Sequence, residues 1–193
     1  MALAHLRFWG LLSLMGLTGC TQHHEPIVRY LTRAELKSSG AAPGAQHRLL
    51  ATRADGSKEY ALVLARGDEV MTALDAFAVS EQINAASFVA IGAVRNAEVG
   101  WFDFAKQRYK AMRRDEQVEV LSLVGDIGVG DDAKPIVHVH VSLGRENGRA
   151  FGGHLIAATV SPTLEVFVTS YPKALKKQLD SKDDVQLFEL SVP

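Results

Sequence analysis

The sequence predicts an α+β domain, a largely antiparallel β-sheet packed with one main α-helix. Three observations carry this expectation. Apolar and polar residues alternate over many short runs, as in strands with one buried face. A single stretch, Asp68 to residue 84, shows a helical stripe, with Val70, Leu74, Phe77, Ala78 and Ile83 on or near one side. Turn residues separate the runs, most clearly Asp55-Gly56. A chain of 193 residues can bury a substantial core, and 47% hydrophobic against 22% charged residues argues against disorder.

The elements follow in order. Met1 to Thr18 carries Arg7 and an apolar run from Phe8 to Leu17. That run is too short to span a bilayer and suits a signal-peptide core. Leu17-Thr18-Gly19-Cys20 resembles a bacterial lipobox, with the only cysteine of the chain at the lipidated position. Residues 1–19 therefore read as a lipoprotein signal peptide, and Cys20 as the lipid-bearing start of a bacterial envelope protein. Thr21 after the cysteine favours the outer membrane in a Gram-negative cell. A lone cysteine allows no disulfide within the chain. Residues 20–45, punctuated by Pro26, Gly40, Pro43 and Gly44, read as a tether. Within it His23 and His24 read as solvated, and Thr32 to Glu35 fits a capping box.

Residues 46–172 form the predicted domain. His47 to Arg53 and Glu59 to Ala65 make a hairpin, and Asp68 is the expected N-cap of the helix. Phe88 to Val94 and Val99 to Phe104 read as two strands joined through Arg95-Asn96. Val118 to Val124 is a strand, followed by a glycine-bearing loop from Gly125 to Ala133. Leu164 to Tyr171 is the last strong strand. Residues 173–193 read as a tail in which Phe188 to Val192 adds an edge.

The segment with most chemistry runs from Pro135 to Leu155. Val137, Val139 and Val141 alternate with His138, His140 and Ser142, so both imidazoles share one strand face. Gly144 to Gly148 and Gly152-Gly153 read as the turn that returns His154 toward them. Three histidines with a free fourth position form a typical divalent-metal set, and zinc suits imidazole best. The alternative is that they hydrogen-bond across a subunit interface. Glu165 is the candidate general base or supporting carboxylate, and Asp103 and Asp126 are similar, Asp126 being placed in a loop. Lys106, Arg108, Lys110, Arg113 and Arg114 form the one basic cluster, a candidate anion-binding patch or a solvated loop balanced by Asp115 and Glu116. The formal net charge is −1, and loss of Arg7 with the leader makes it more negative. Proteins that rely on phosphate contacts carry a basic excess. No Ser-His-Asp pattern in a recognisable context and no phosphate-binding glycine loop are present.

The run Ala65 to Ser170 resembles the PPC domain, the plants and prokaryotes conserved domain. The resemblance rests on Arg66-Gly67-Asp68-Glu69-Val70, Ala90-Ile91-Gly92-Ala93 and Val99-Gly100-Trp101-Phe102-Asp103. It continues through Glu119-Val120-Leu121-Ser122-Leu123-Val124-Gly125, His138-Val139-His140, Gly152-Gly153-His154-Leu155 and Thr163-Leu164-Glu165-Val166. It implies the same α+β architecture, a homotrimer, and metal binding at the three histidines. Glu116-Gln117-Val118-Glu119 departs from the family's Gly-Arg-Phe-Glu-like segment, so the partner interaction of plant members is not carried over. No Arg-Gly-Arg-Pro minor-groove hook is present. The sequence therefore points to an envelope-anchored lipoprotein binding a metal or small ligand at a three-histidine site, with no catalytic residue assigned. Two alternatives stay open, a DNA-binding protein, disfavoured by export, and a structural or adaptor homotrimer.

Overall fold

The computed structural model describes residues 25–37 and 39–191. The segment expected to be a signal peptide, with Cys20, His23 and His24, lies outside the described residues. The elements are β1 (Ile27–Leu31), a 3-10 turn (Arg33–Glu35), β2 (Gln46–Thr52), β3 (Lys58–Ala65), α1 (Val70–Ser80) and β4 (Ala86–Asp103). They continue with β5 (Arg108–Arg114), β6 (Val118–Val129), β7 (Pro135–Gly144), β8 (Ala150–Ser170), β9 (Lys176–Asp180) and β10 (Val185–Glu189).

The class is mainly β, which corrects the α+β expectation. Strand takes 60% of the structure and helix 8%. Two long strands absorb segments that read as hairpins. β4 runs 18 residues without reversing, because β8, 21 residues long, pairs with it from Ala86 to Gly100. Arg95-Asn96 falls beside a register shift in that ladder rather than in a turn, so the strand bulges and bends. β6 likewise continues through Gly125 and Gly128. A Cβ at Gly125 would lie 2.3 Å from the Phe88 ring and 2.4 Å from the His138 carbonyl oxygen. These glycines serve close packing, not a turn, and Asp126 is therefore a strand residue. Gly152 and Gly153 also lie inside a strand, β8. A Cβ at Gly152 would stand 2.1 Å from the Val141 carbonyl oxygen.

The strand order is β1-β5-β4-β6-β7-β8-β3-β2, with β4 also paired to β8. β4, β6, β7 and β8 thereby close a ring of pairings, which removes their free edges. The ladders are antiparallel except at Val129–Lys176, where β9 meets β6 in parallel. β1 arises within the stretch expected to be a tether, and pairs with β5 from Ile27–Arg113 to Leu31–Tyr109. The C-terminal stretch folds as a hairpin of β9 and β10.

The core lies between the strands and α1, whose Val70, Ala73, Leu74, Phe77 and Ala78 are buried with Leu64, Val94, Val139 and Leu164. Each large apolar side chain so placed stabilises the fold by about 1.5–3 kcal/mol. The helix starts on Glu69 rather than Asp68. The Glu69 carboxylate accepts hydrogen bonds from the Met71 and Thr72 N–H groups, as an N-cap does. Asp68 instead accepts from the Gly44 and Ala65 N–H groups, at 2.9 and 2.8 Å. The helix ends at Ser80, short of residue 84, and Gln82 follows with a φ of 54°. Thr32 donates its N–H and hydroxyl to the Glu35 carboxylate, each at 2.8 Å, which fixes the expected single turn there.

Candidate metal centre

The alternation of β7 is the first cause of the site. Val139 and Val141 are buried, so His138 and His140 must project from the opposite face. His154 enters from β8 at the ladder position directly opposite His140. That register is possible because Gly152 and Gly153 let β8 approach β7 and β4 closely. The three side chains offer ligand atoms that all lie within 4.8 Å of one another. Ring centroids are 5.1 Å apart for His138–His140, 5.1 Å for His138–His154 and 5.6 Å for His140–His154. The His140 ring stands at 89° to both others.

Electrostatics keeps the set receptive. Burial pushes the His154 imidazole down to about 4, and the neighbouring His138, His140 and Lys177 charges push the same way. Burial, then His138, lowers His140, with Asp126 acting in the other direction. Neutral imidazole is the form that ligates a metal. Behind His138, on the facing position of β6, stands Asp126, with its Oδ2 3.4 Å from the His138 Nδ1. A carboxylate on one ring nitrogen fixes the tautomer and leaves the other nitrogen for an ion. Burial opposes ionisation of Asp126, but the His138 and Lys177 interactions outweigh it and hold the carboxyl below its usual range. Lys177 of β9 is ion-paired with Asp126, and its ammonium lies 4.9 Å from the Phe188 ring centroid on β10. On the other side the Tyr109 ring lies 5.1 Å from His154.

A cleft of about 1040 Å³ opens beside His138 and His154. Asp75 of α1, Tyr109, Lys177 and Leu187 are among its walls. Asp75 is exposed by surface area at the cleft rim, yet the atoms packed around its carboxyl desolvate it and, with the Glu69 charge, push it up to about 6.

The remaining candidates are placed elsewhere. Glu165 sits far along β8, paired with Ile91 and Val63, and lines a separate pocket with Glu119 and Leu121. At ~3.3 Å per residue it lies roughly 35 Å of strand from His154, so it is not the base of this site. Asp103 pairs with Lys106 at 3.2 Å. The basic cluster lies mostly on a strand, not a loop: Lys106 is in the turn after β4, and the other four are on β5. Alternation puts Arg108 and Lys110 on one face and Arg113 on the other. Arg113 pairs with Asp115 at 2.7 Å and Arg114 with Glu116 at 3.7 Å. Asp75, Lys177 and Tyr109 were missed in the sequence. Their only signal is long-range proximity, which no local pattern in the chain carries.

Residues 51–172 match the Plants and Prokaryotes Conserved (PCC) domain. Solved structures are similar over nearly their whole length. A metal-containing protein of Archaeoglobus fulgidus is 35% identical, covers 68% of this chain and 93% of its own, and has a TM-score of 0.63. A plant- and prokaryote-conserved protein of Pyrococcus horikoshii is 30% identical over 75% of this chain and 94% of its own, with a TM-score of 0.64. A protein of Ralstonia eutropha JMP134, whose name proposes DNA binding, is 30% identical over 72% of this chain and 94% of its own, at a TM-score of 0.63. No curated protein matches the chain.

Proposed function

The chain belongs to the Plants and Prokaryotes Conserved (PCC) domain family, and on that premise we propose that it is a lipid-anchored envelope protein that holds a divalent metal, zinc first, on His138, His140 and His154. The convergence of three ligand atoms within 4.8 Å is the observation that carries this reading. Tetrahedral zinc at about 2.0–2.1 Å from each nitrogen needs nitrogens about 3.3 Å apart, a contraction that small ring rotations supply. The donor set fits: three imidazoles, two of them kept neutral by burial, and Asp126 orienting the third. The similar Archaeoglobus protein is metal-containing by name, which supports the same reading.

When bound, zinc would supply a Lewis-acidic position open to one ligand oxygen. The chain's own groups do the rest. Lys177 steadies Asp126, Asp126 orients His138, and Tyr109 packs on His154. The cleft admits a small ligand beside two of the three rings, and Asp75 there can hold or accept a proton near neutral pH. The reading is a metal-dependent binding protein. Export rests on the Leu17-Thr18-Gly19-Cys20 motif. Trimer formation is the family's implication, supported by an exposed apolar sheet face carrying Val89, Ile91, Leu121 and Phe167. DNA binding is the second reading, favoured by the name of the Ralstonia protein. The net charge of −1 and the acidic partners of Arg113 and Arg114 count against it.

Metal analysis of untagged protein purified without chelator tests the proposal. Zinc near one equivalent, lost in His140→Ala, is the expected result; metal-free protein that also fails to bind added zinc overturns it. Intact mass of membrane-extracted protein tests the lipid on Cys20 separately.

A further inference from the structure

We propose that the β1–β5–β4 edge of the sheet docks on an anionic phospholipid bilayer, with Tyr30 and Trp101 as apolar anchors and Lys106, Arg108 and Lys110 against the headgroups. Its orientation rests on the lipid-anchor reading of Cys20.

The register builds the surface. Lys110 lies opposite Trp101 on β4 and opposite Tyr30 on β1, so the three form one row on one face. Side chains directly opposite one another stand about 4.5–5.5 Å apart at Cβ. Arg108, two positions along, shares the face with Lys110 and lies opposite Asp103. Lys106 completes the group from the turn, with its Nζ 3.1 Å from the Tyr30 hydroxyl and 4.4 Å from that ring's centroid. Asp103, paired with Lys106 at 3.2 Å, and Glu35, close enough to Arg108 to interact with its charge, are acidic groups at the patch, and the three cations outnumber them.

The exposures are those of a surface awaiting a partner. Trp101 is 59% exposed and Tyr30 41%. Aromatic side chains interleaved with lysine and arginine suit the membrane interface, where rings sit at headgroup level and cations meet anionic lipid. Chain length supplies the encounter. From Cys20 to Ile27 there are few enough residues that, even fully extended at about 3.6 Å each, they reach only about 25 Å. A lipidated Cys20 therefore holds β1 beside the bilayer however those residues are arranged. Docking also leaves the metal centre accessible. Tyr109, which meets His154, points to the opposite face of β5 from Lys110.

The sequence provides its own probe. The chain has two tryptophans, Trp9 and Trp101, so full-length Trp9→Phe leaves one indole whether or not the leader is removed. The membrane-extracted protein would be reconstituted with vesicles of phosphatidylcholine alone or mixed with phosphatidylglycerol, each with brominated acyl chains. The expected result is a blue shift and quenching of Trp101 only with phosphatidylglycerol. K106E/R108E/K110E should abolish both, and Lys110→Glu alone should reduce them, with unchanged circular dichroism. Flotation with neutral vesicles and the mass at Cys20 report the anchor independently. A chain that floats while Trp101 responds equally to both lipids overturns this proposal and leaves the anchor standing. Response to anionic vesicles without lipid on Cys20 does the reverse. Quenching by single-stranded oligonucleotide but not by vesicles, or a concentration-dependent blue shift without lipid, also overturns it, in favour of nucleic acid or a second copy.

Discussion

Replacing Glu69 tests how the metal centre's framework is held. Glu69 is 6% exposed and accepts from four donors. The Met71 N–H is at 3.2 Å, the Thr72 N–H and hydroxyl are each at 2.7 Å, and the Ala158 N–H is at 3.2 Å. The two N–H groups of Met71 and Thr72 cap α1, and the Thr72 hydroxyl adds a side-chain bond. The fourth belongs to β8, the strand that carries His154. Glu69→Ala removes the cap, at a cost of about 1 kcal/mol. It also strands the buried Ala158 N–H, at a further cost of about 1–3 kcal/mol. The total is about 3 kcal/mol, and at about 2–4 °C per kcal/mol for a chain of this size the melting temperature should fall by about 6–12 °C. Glu69→Gln keeps an acceptor oxygen and should lose about half as much. Both variants remove a charge that raises Asp75, so its titration should move down from about 6 while burial keeps it above an ordinary aspartate. Thermal melts by circular dichroism read the first effect, and carboxyl-region NMR reads the second. A Glu69→Ala melt within about 1 °C of the parent would refute the reasoning, because it would show that neither the cap nor the link to β8 matters.

Other outcomes follow from the site itself. Asp126→Asn should weaken zinc binding about 10–100-fold by freeing the His138 ring, and His140→Ala should weaken it further than that; calorimetric titration of each variant checks the order. The metal-free chain should lose stability in acid. His154 sits at about 4 when folded, mainly through burial, against about 6.5 unfolded. The unfolded chain therefore takes up the proton first as pH falls. The stability owed to neutral His154 is full above about pH 6.5 and is lost progressively toward about pH 4, up to about 3 kcal/mol. Urea midpoints at pH 7.5 and 5 should differ in the parent and differ less in His154→Gln. Gly152→Ala places a methyl 2.1 Å from the Val141 carbonyl oxygen, so it should push β8 from β7 and lower both the melting temperature and zinc affinity.

Much of the site was legible because strand alternation is local. Val139 and Val141 mark the buried face, and His138 and His140 must then share the other. What the sequence hides is which segments close on one another. Glycine illustrates this: Gly56 occupies a left-handed turn with a φ of 87°, whereas Gly125, Gly128 and Gly152 stand in strands under the backbone or side chains of distant neighbours. All look alike as turn punctuation. Reading the second group as turns cuts β6 short, puts Asp126 in a loop and breaks β8, while Arg95-Asn96 read as a turn divides β4. The same error inflated the helix's share of the fold and gave the wrong class. Glu165 was misplaced for a related reason, since a long β8 carries it away from His154 instead of folding it back.

The contrast between the family segment and its flanks bears on specificity. The three histidines lie within residues 51–172, the part that matches the PCC domain. Much of what surrounds them does not. Lys177, which holds Asp126, comes from β9, and Phe188, which faces the Lys177 ammonium, comes from β10. Arg33 and Leu36 enter the cleft wall from the segment after β1, with Leu179 and Leu187 opposite them in the C-terminal hairpin. Arg33 and Asp184, one from each flank, pair at 3.0 Å. The two flanks thus meet over a cleft whose floor belongs to the family. The ligand-holding residues therefore lie in the family segment, while part of the cleft wall is built by residues on either side of it. Swapping the histidines should change whether metal binds, and changing the flanks should change what reaches it.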